Sequence, residues 1–174
     1  IKTFYSCLYR MLQFPRKFYE FDANQKMVHY SPFNGKVEDG ILFTDTGFWD
    51  TFRALHPLLT ISNPDKVDHM VKSLLGFYDE TGLLPTWDLM SNETDVMIGY
   101  HAVPVLVDAY LKGLTSADPE HILAAVKASA MQNKFGIDVY RQYGYVPSDL
   151  DVEAVSKTLE YAYDDFCAYQ LAKL

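Results

Sequence analysis

Ten consecutive residues, Thr44 to Arg53 (TDTGFWDTFR), gather side chains able to recognise a polar ligand. Asp45 and Asp50 can each accept two hydrogen bonds, Arg53 donates in a fixed fork, and Trp49 offers a flat face for stacking. A second group follows, in which Trp87 and Asp88 precede Asn92, Glu93 and Thr94. His101 comes directly after Tyr100, and Glu160 and the pair Asp164-Asp165 lie near the end of the chain. Aromatic faces stack on the apolar faces of pyranose rings, and carboxylates take up their hydroxyls, so this mixture is one that sugar-binding clefts use. Each group also has a plainer reading. Asp45 could cap a helix while Asp50 and Arg53 pair on its solvated face. Trp87 could plug the core ahead of an N-cap, and His101 could be a hydrogen-bonded core histidine. Glu160 could pair with Lys157, leaving Asp164-Asp165 on a polar surface. Trp49 favours a site, because a tryptophan on a solvated face needs something to stack against.

Signatures of other chemistries are missing. No HExxH, CxxC, GxSxG or phosphate-cradling glycine loop occurs. Hydrolysis by two carboxylates is compatible with the composition, which cannot by itself choose the pair.

The elements that must position these residues read as helices. The first covers about 2–13 and ends before Pro15. Residues 17–43 form a hairpin or extended excursion with a turn at Asp22-Ala23-Asn24. A second helix opens in TDTGFWDTFR, with Thr44 to Thr46 as cap types and an apolar stripe of Phe48, Phe52, Leu55 and Leu59, until Pro57 kinks or ends it. The third begins at Asn63-Pro64 and runs to about Asp79. ETGLLPTWDLMSNET is a loop. The fourth helix covers about 95–112 with a kink at Pro104, the fifth 119–132, and the sixth 152–174, with a short helical turn at IDVYRQYG. The second, fourth and sixth are apolar on more than one face, whereas the third and fifth are one-sided. That alternation predicts a double-layered helical toroid; a plain bundle is the competing arrangement.

The bulk numbers narrow the field. A chain of 174 residues suits one domain. A net charge of −8, with no basic run longer than Arg16-Lys17, argues against nucleic acid. The longest apolar run, Ala102 to Val107, cannot span a bilayer. Cys7 and Cys167 carry no motif and read as buried thiols. The chain starts and stops inside helical pattern, which suggests a piece of a longer polypeptide.

Three segments carry a family resemblance: FPRKFYEFDANQKMVHYSPFNGKVEDGILFTDTGFWDTFRALHPLL, LPTWDLMSNETDVMIGYHAVPVLVDAYLKG and YGYVPSDLDVEAVSKTLEYAYDDFCAYQLAKL. Together they resemble the catalytic domain of glycoside hydrolase family 92, bacterial exo-acting α-mannosidases that include α-1,2-mannosidases. The resemblance implies an all-α fold, part of an (α/α)6 toroid with the 17–43 excursion. It also implies inversion of configuration, calcium as cofactor, a mannose-containing glycan as partner, and a periplasmic or extracellular setting. Trp49, Asp50, Arg53, Trp87, Glu93 and His101 would then bind substrate at one end of the inner helices. The catalytic acid and base, most calcium ligands and a preceding β-sandwich would lie outside residues 1–174, leaving the isolated chain inactive. Its bare helix flanks would favour self-association. A non-catalytic helical scaffold or glycan-binding module is the alternative.

Overall fold

Prolines and glycines punctuate the chain much as helix chemistry requires. In the computed structural model, which describes residues 1–174, helix α1 spans Lys2–Met11 and buries no side chain. Strands β1 (Arg16–Phe18), β2 (Glu20–Phe21), β3 (Met27–Tyr30), β4 (Val37–Asp39), β5 (Leu42–Thr44) and β6 (Thr46–Gly47) follow. Then come α2 (Phe48–Thr51), α3 (Leu55–Ser62), α4 (Pro64–Thr81), β7 (Trp87–Leu89) and β8 (Asn92–Glu93). Four further helices complete the chain: α5 (Ala102–Leu111), α6 (Pro119–Ala130), α7 (Ile137–Tyr143) and α8 (Ala154–Ala172). Pro64 and Pro119 each occupy a first helical turn, where the missing N–H costs nothing. Gly82 and Gly144 end α4 and α7 in the left-handed conformation.

The helices pack around a core centred on α5. Helix α5 is almost wholly buried and packs against α8, α4, α3 and α6, while α6 also lies on α8. Val71 from α4, Val103 and Leu106 from α5, and Ile122 and Ala125 from α6 lose essentially all solvent contact. Each large aliphatic among them contributes roughly 1.5–3 kcal/mol of burial. Helices α3 and α4 also pack on each other, as do α4 and α6, and α8 turns one buried stripe inward while Val155, Leu159 and Phe166 on its other sides are exposed.

Three small antiparallel sheets accompany the helices, so the fold is not purely α. Strand β1 pairs with β5, β2-β3-β4 form a meander, and β6-β7-β8 form the third sheet. The first two occupy the 17–43 excursion. Asp22 makes its turn by accepting the N–H groups of Asn24 and Lys26, both at 2.8 Å. The third sheet corrects two expectations. ETGLLPTWDLMSNET is not a plain loop, since β7 and β8 lie within it, Thr46 facing Asp88 and Asp88 facing Glu93. Nor do Thr44 and Asp45 cap a helix. Thr44 ends β5, Asp45 turns the chain at φ 64°, and Gly47 precedes α2.

Two helix boundaries also differ. The second helix breaks at Phe52–Ala54, and Pro57 falls in the first turn of α3, where it causes no kink. The fourth begins at Ala102 instead of Asp95, which puts Pro104 in the first turn of α5. Asp95, Met97 and Gly99 take positive φ, which a helix cannot contain. Cys167 is buried, but Cys7 lies exposed on α1.

Candidate sugar-binding site

The stretch from Thr44 to Arg53 is stapled by its flanking polar groups before it becomes helical. Thr44 Oγ1 accepts the N–H of Ser91 at 2.8 Å, and Asp45 Oδ1 accepts that of Met90 at 2.7 Å. Arg16 reaches the other Asp45 oxygen at 3.3 Å. The Thr46 N–H donates to Asp88 Oδ1 at 3.3 Å. Asp88 is buried, and burial pushes its carboxyl up to about 7; the charge of Asp45 adds to this while hydrogen bonds from Thr44 and Thr46 oppose it.

Asp50 emerges from this frame exposed, in a cavity of about 390 Å³ that it shares with Arg16, Asp45, Gly47, Thr51 and Trp87. No hydrogen bond or ion pair engages its carboxylate. A Cβ on Gly47 would sit 3.7 Å from the Trp87 ring and 3.8 Å from Asp50 Oδ2, so that glycine brings the indole and the carboxylate close together. The expected Asp50–Arg53 pair does not form, because Arg53 turns away to Glu160. Trp49 is half-buried, and its indole N–H has no partner.

A second cluster lies behind Arg53. The Arg53 guanidinium bonds Glu160 Oε1 and lies 4.8 Å from the centre of the Phe52 ring. Phe52 stacks on the His101 imidazole at 4.0 Å. His101 is completely buried, its Nδ1 2.6 Å from Asp164 Oδ1. Its Nε2 is 3.1 Å from Glu160 Oε2, close but poorly aligned for a hydrogen bond. Asp164 also accepts the Tyr100 N–H at 2.8 Å. Burial raises the Asp164 carboxyl, although His101 and the Tyr100 N–H work in the opposite direction.

Helix α8 supplies both acids at i and i+4. Asp164 is not on a polar surface, as its doublet with Asp165 suggests, but has no solvent exposure. The signal is in the pattern: Ala154, Lys157, Tyr161, Asp164, Cys167 and Leu171 form one continuous buried stripe. Lys157 pairs with Asp151 at 2.8 Å, leaving Glu160 to Arg53 and His101.

The six sequence candidates thus fall into two groups joined by the turn from Trp49 to Arg53. Asp50 and Trp87 line one cavity, and Arg53 lines another together with Phe52, His56 and Tyr163. His101 supports the second group from within the core. Glu93 presents no free carboxylate, since its oxygens accept the N–H groups of Thr86, Trp87, Thr94 and Asp95 at 2.6–3.3 Å. It shapes the loop that carries Trp87. Nowhere do three His, Cys, Asp or Glu side chains converge as a metal site would require. Residues 1–174 therefore do not by themselves assemble a carboxylate cluster of the kind a complete calcium site uses.

Stacking and hydrogen-bonding groups of the types gathered here are those that sugar-binding clefts use, and comparison gives the family. The family model of the glycosyl hydrolase family 92 catalytic domain matches residues 1–174, so the chain belongs to that family. The chain is similar to the structure of a family 92 inverting mannosidase from Bacteroides thetaiotaomicron VPI-5482, at 44% identity and TM-score 0.89, over 98% of this chain and 24% of that one. A family 92 α-mannosidase from Bacteroides thetaiotaomicron matches at 38% identity and TM-score 0.88, over 98% and 23%. The same α-mannosidase in complex with mannoimidazole matches equally well. The chain thus spans about a quarter of the length of these relatives. No curated protein gives a significant match.

Proposed function

We propose that this chain is part of the catalytic domain of an exo-acting α-mannosidase and supplies substrate-binding groups to it. The observation that carries this reading is the unpaired Asp50 carboxylate beside Trp87, in a chain 44% identical to an inverting mannosidase. Asp50 accepts two adjacent hydroxyls of a terminal mannose, which are charge-assisted bonds and correspondingly strong. Trp87 covers an apolar face of the ring, and Trp49 holds the turn that carries Asp50. Helices α3, α5 and α8, with α4 and α6, would form part of an (α/α)6 toroid.

Inversion requires a general acid and a general base roughly 6.5–9.5 Å apart across one glycosidic bond. The residues described here bind and orient; neither catalytic carboxylate is placed among them, and both are assigned to other parts of the polypeptide. Calcium ligands are likewise proposed to lie mostly outside residues 1–174, and no step is assigned to the ion. An α-1,2 linkage preference and a periplasmic or extracellular location complete the proposal.

The test is Asp50→Ala in the full-length enzyme, assayed for mannose release from an α-1,2-linked mannobiose. A raised KM together with a lowered kcat is expected. Unchanged kinetics would make Asp50 a solvated surface acid and remove the reading.

A further inference from the structure

The cluster behind Arg53 is more elaborate than a surface ion pair needs. Four groups run in series from the core outward: Asp164 and His101 with no exposed side-chain surface, Glu160 at 16%, and Arg53 at 54%. Arg53 follows Phe52 in the break between α2 and α3, so no helical hydrogen bond sets its direction. An arginine there would ordinarily sample many rotamers, and a ligand would have to still them. Here the guanidinium is held from two sides, by Glu160 Oε1 and by the Phe52 ring. Phe52 is itself fixed by stacking on His101.

We propose that Glu160, anchored by His101 and Asp164, is a positioning residue that holds Arg53 at the cavity it lines with Phe52, His56 and Tyr163, beside the Asp50 turn, where it donates to a glycan hydroxyl. This rests on the mannosidase reading above. Glu160 touches no substrate; it acts through Arg53. Removing either partner leaves the chemistry intact and weakens binding of ground state and transition state alike, a signature seen in KM with kcat unchanged. Because the two residues act as one unit, their losses do not multiply.

The experiment is a double-mutant cycle in the full-length enzyme with Glu160→Gln, Arg53→Ala and the pair, using an α-1,2-linked mannobiose and recording thermal unfolding alongside. Each single variant is expected to raise KM about ten-fold and to keep kcat within about two-fold, and the double variant to stay near ten-fold. A double variant near one hundred-fold would mean that the residues act independently and would overturn the proposal. A Glu160→Gln enzyme with wild-type KM would do the same. If Glu160→Gln unfolds, Arg53→Ala decides, since its exposed side chain can be removed without opening the core. A fall in kcat there, or no change in KM, overturns the proposal. Asp50→Ala separates the two levels: if it is silent, the site reading itself fails. If it is damaging while Glu160→Gln is silent, only the positioning role fails.

Discussion

Replacing Asp88 by Asn tests how the frame around TDTGFWDTFR is held. Asp88 bridges β6 and β7, accepts the Thr46 N–H and is buried, and its carboxyl is raised from 3.8 to about 7. Between those values the folded chain binds a proton that the unfolded chain has released, so this group's stabilisation is lost as pH rises from about 4 towards 7. Three units at about 1.36 kcal/mol each set a ceiling of about 4 kcal/mol, and about 2 kcal/mol is a sensible working figure. His56 works the other way. Burial lowers it to about 4, so it disfavours the fold as pH falls below 6.5 and the unfolded imidazole charges. The two slopes oppose each other between about 4 and 6.5, so the parent chain is nearly level there with respect to these two groups. Asp88→Asn, which keeps shape and acceptor but cannot ionise, leaves His56 unopposed. Urea unfolding of both proteins at pH 4.5, 6 and 8 is the assay. The variant should gain on the parent as pH rises, by about 2 kcal/mol overall, or roughly 4–8 °C in Tm for a chain of this size. Parallel pH profiles would refute the reasoning, because they would show that Asp88 ionises in the fold at no cost.

Three further outcomes follow from the geometry. Gly99→Ala places a Cβ 2.3 Å from His101 Nε2 at φ 85°, so the imidazole must shift; a loss of about 2 kcal/mol or more in denaturant unfolding is expected. A loss below about 0.5 kcal/mol would show that the ring has room. Leu106→Ala, at a site with no solvent exposure, should cost roughly 2–5 kcal/mol by the same measurement. The isolated 174-residue chain, assayed with calcium on α-1,2-linked mannobiose, should release no mannose, and sedimentation should find it associated through exposed Val155, Leu159 and Phe166 of α8. Turnover near that of the full-length enzyme would mean that the acid and base have been misassigned.

Helices α4 and α6 are legible because apolar periodicity agrees with a proline in the first turn, and α8 because its buried stripe runs unbroken over 19 residues. The strands of the third sheet are only two or three residues long, too short to show alternation, and they form because Thr44, Asp45 and Asp88 tie distant backbone together. Those same residue types signal helix caps when read locally, which is why Thr44 and Asp45 mislead. At the site, Trp49, Asp50 and Arg53 are legible by type. What Arg53 bonds is not, since its partner lies 107 positions away and the nearer Asp50 looks sufficient. Asp164 is half-legible: its place on the buried stripe of α8 predicts burial, while its charge predicts exposure. The partner that resolves this conflict, His101, is 63 positions distant.

That separation has a consequence for biosynthesis. Synthesis proceeds at roughly 5–20 residues per second, so Arg53 leaves the ribosome's catalytic centre about 5–20 seconds before Glu160 is added. Over that interval α4 and α6 can already pack on α5, but the imidazole at the head of α5 has neither of its acids. A nascent chain paused before Asp164 would leave His101 Nδ1 without the carboxylate that it meets in the structure. The binding turn therefore cannot set until α8 arrives, and chaperone capture of stalled chains should fall sharply once translation passes that helix.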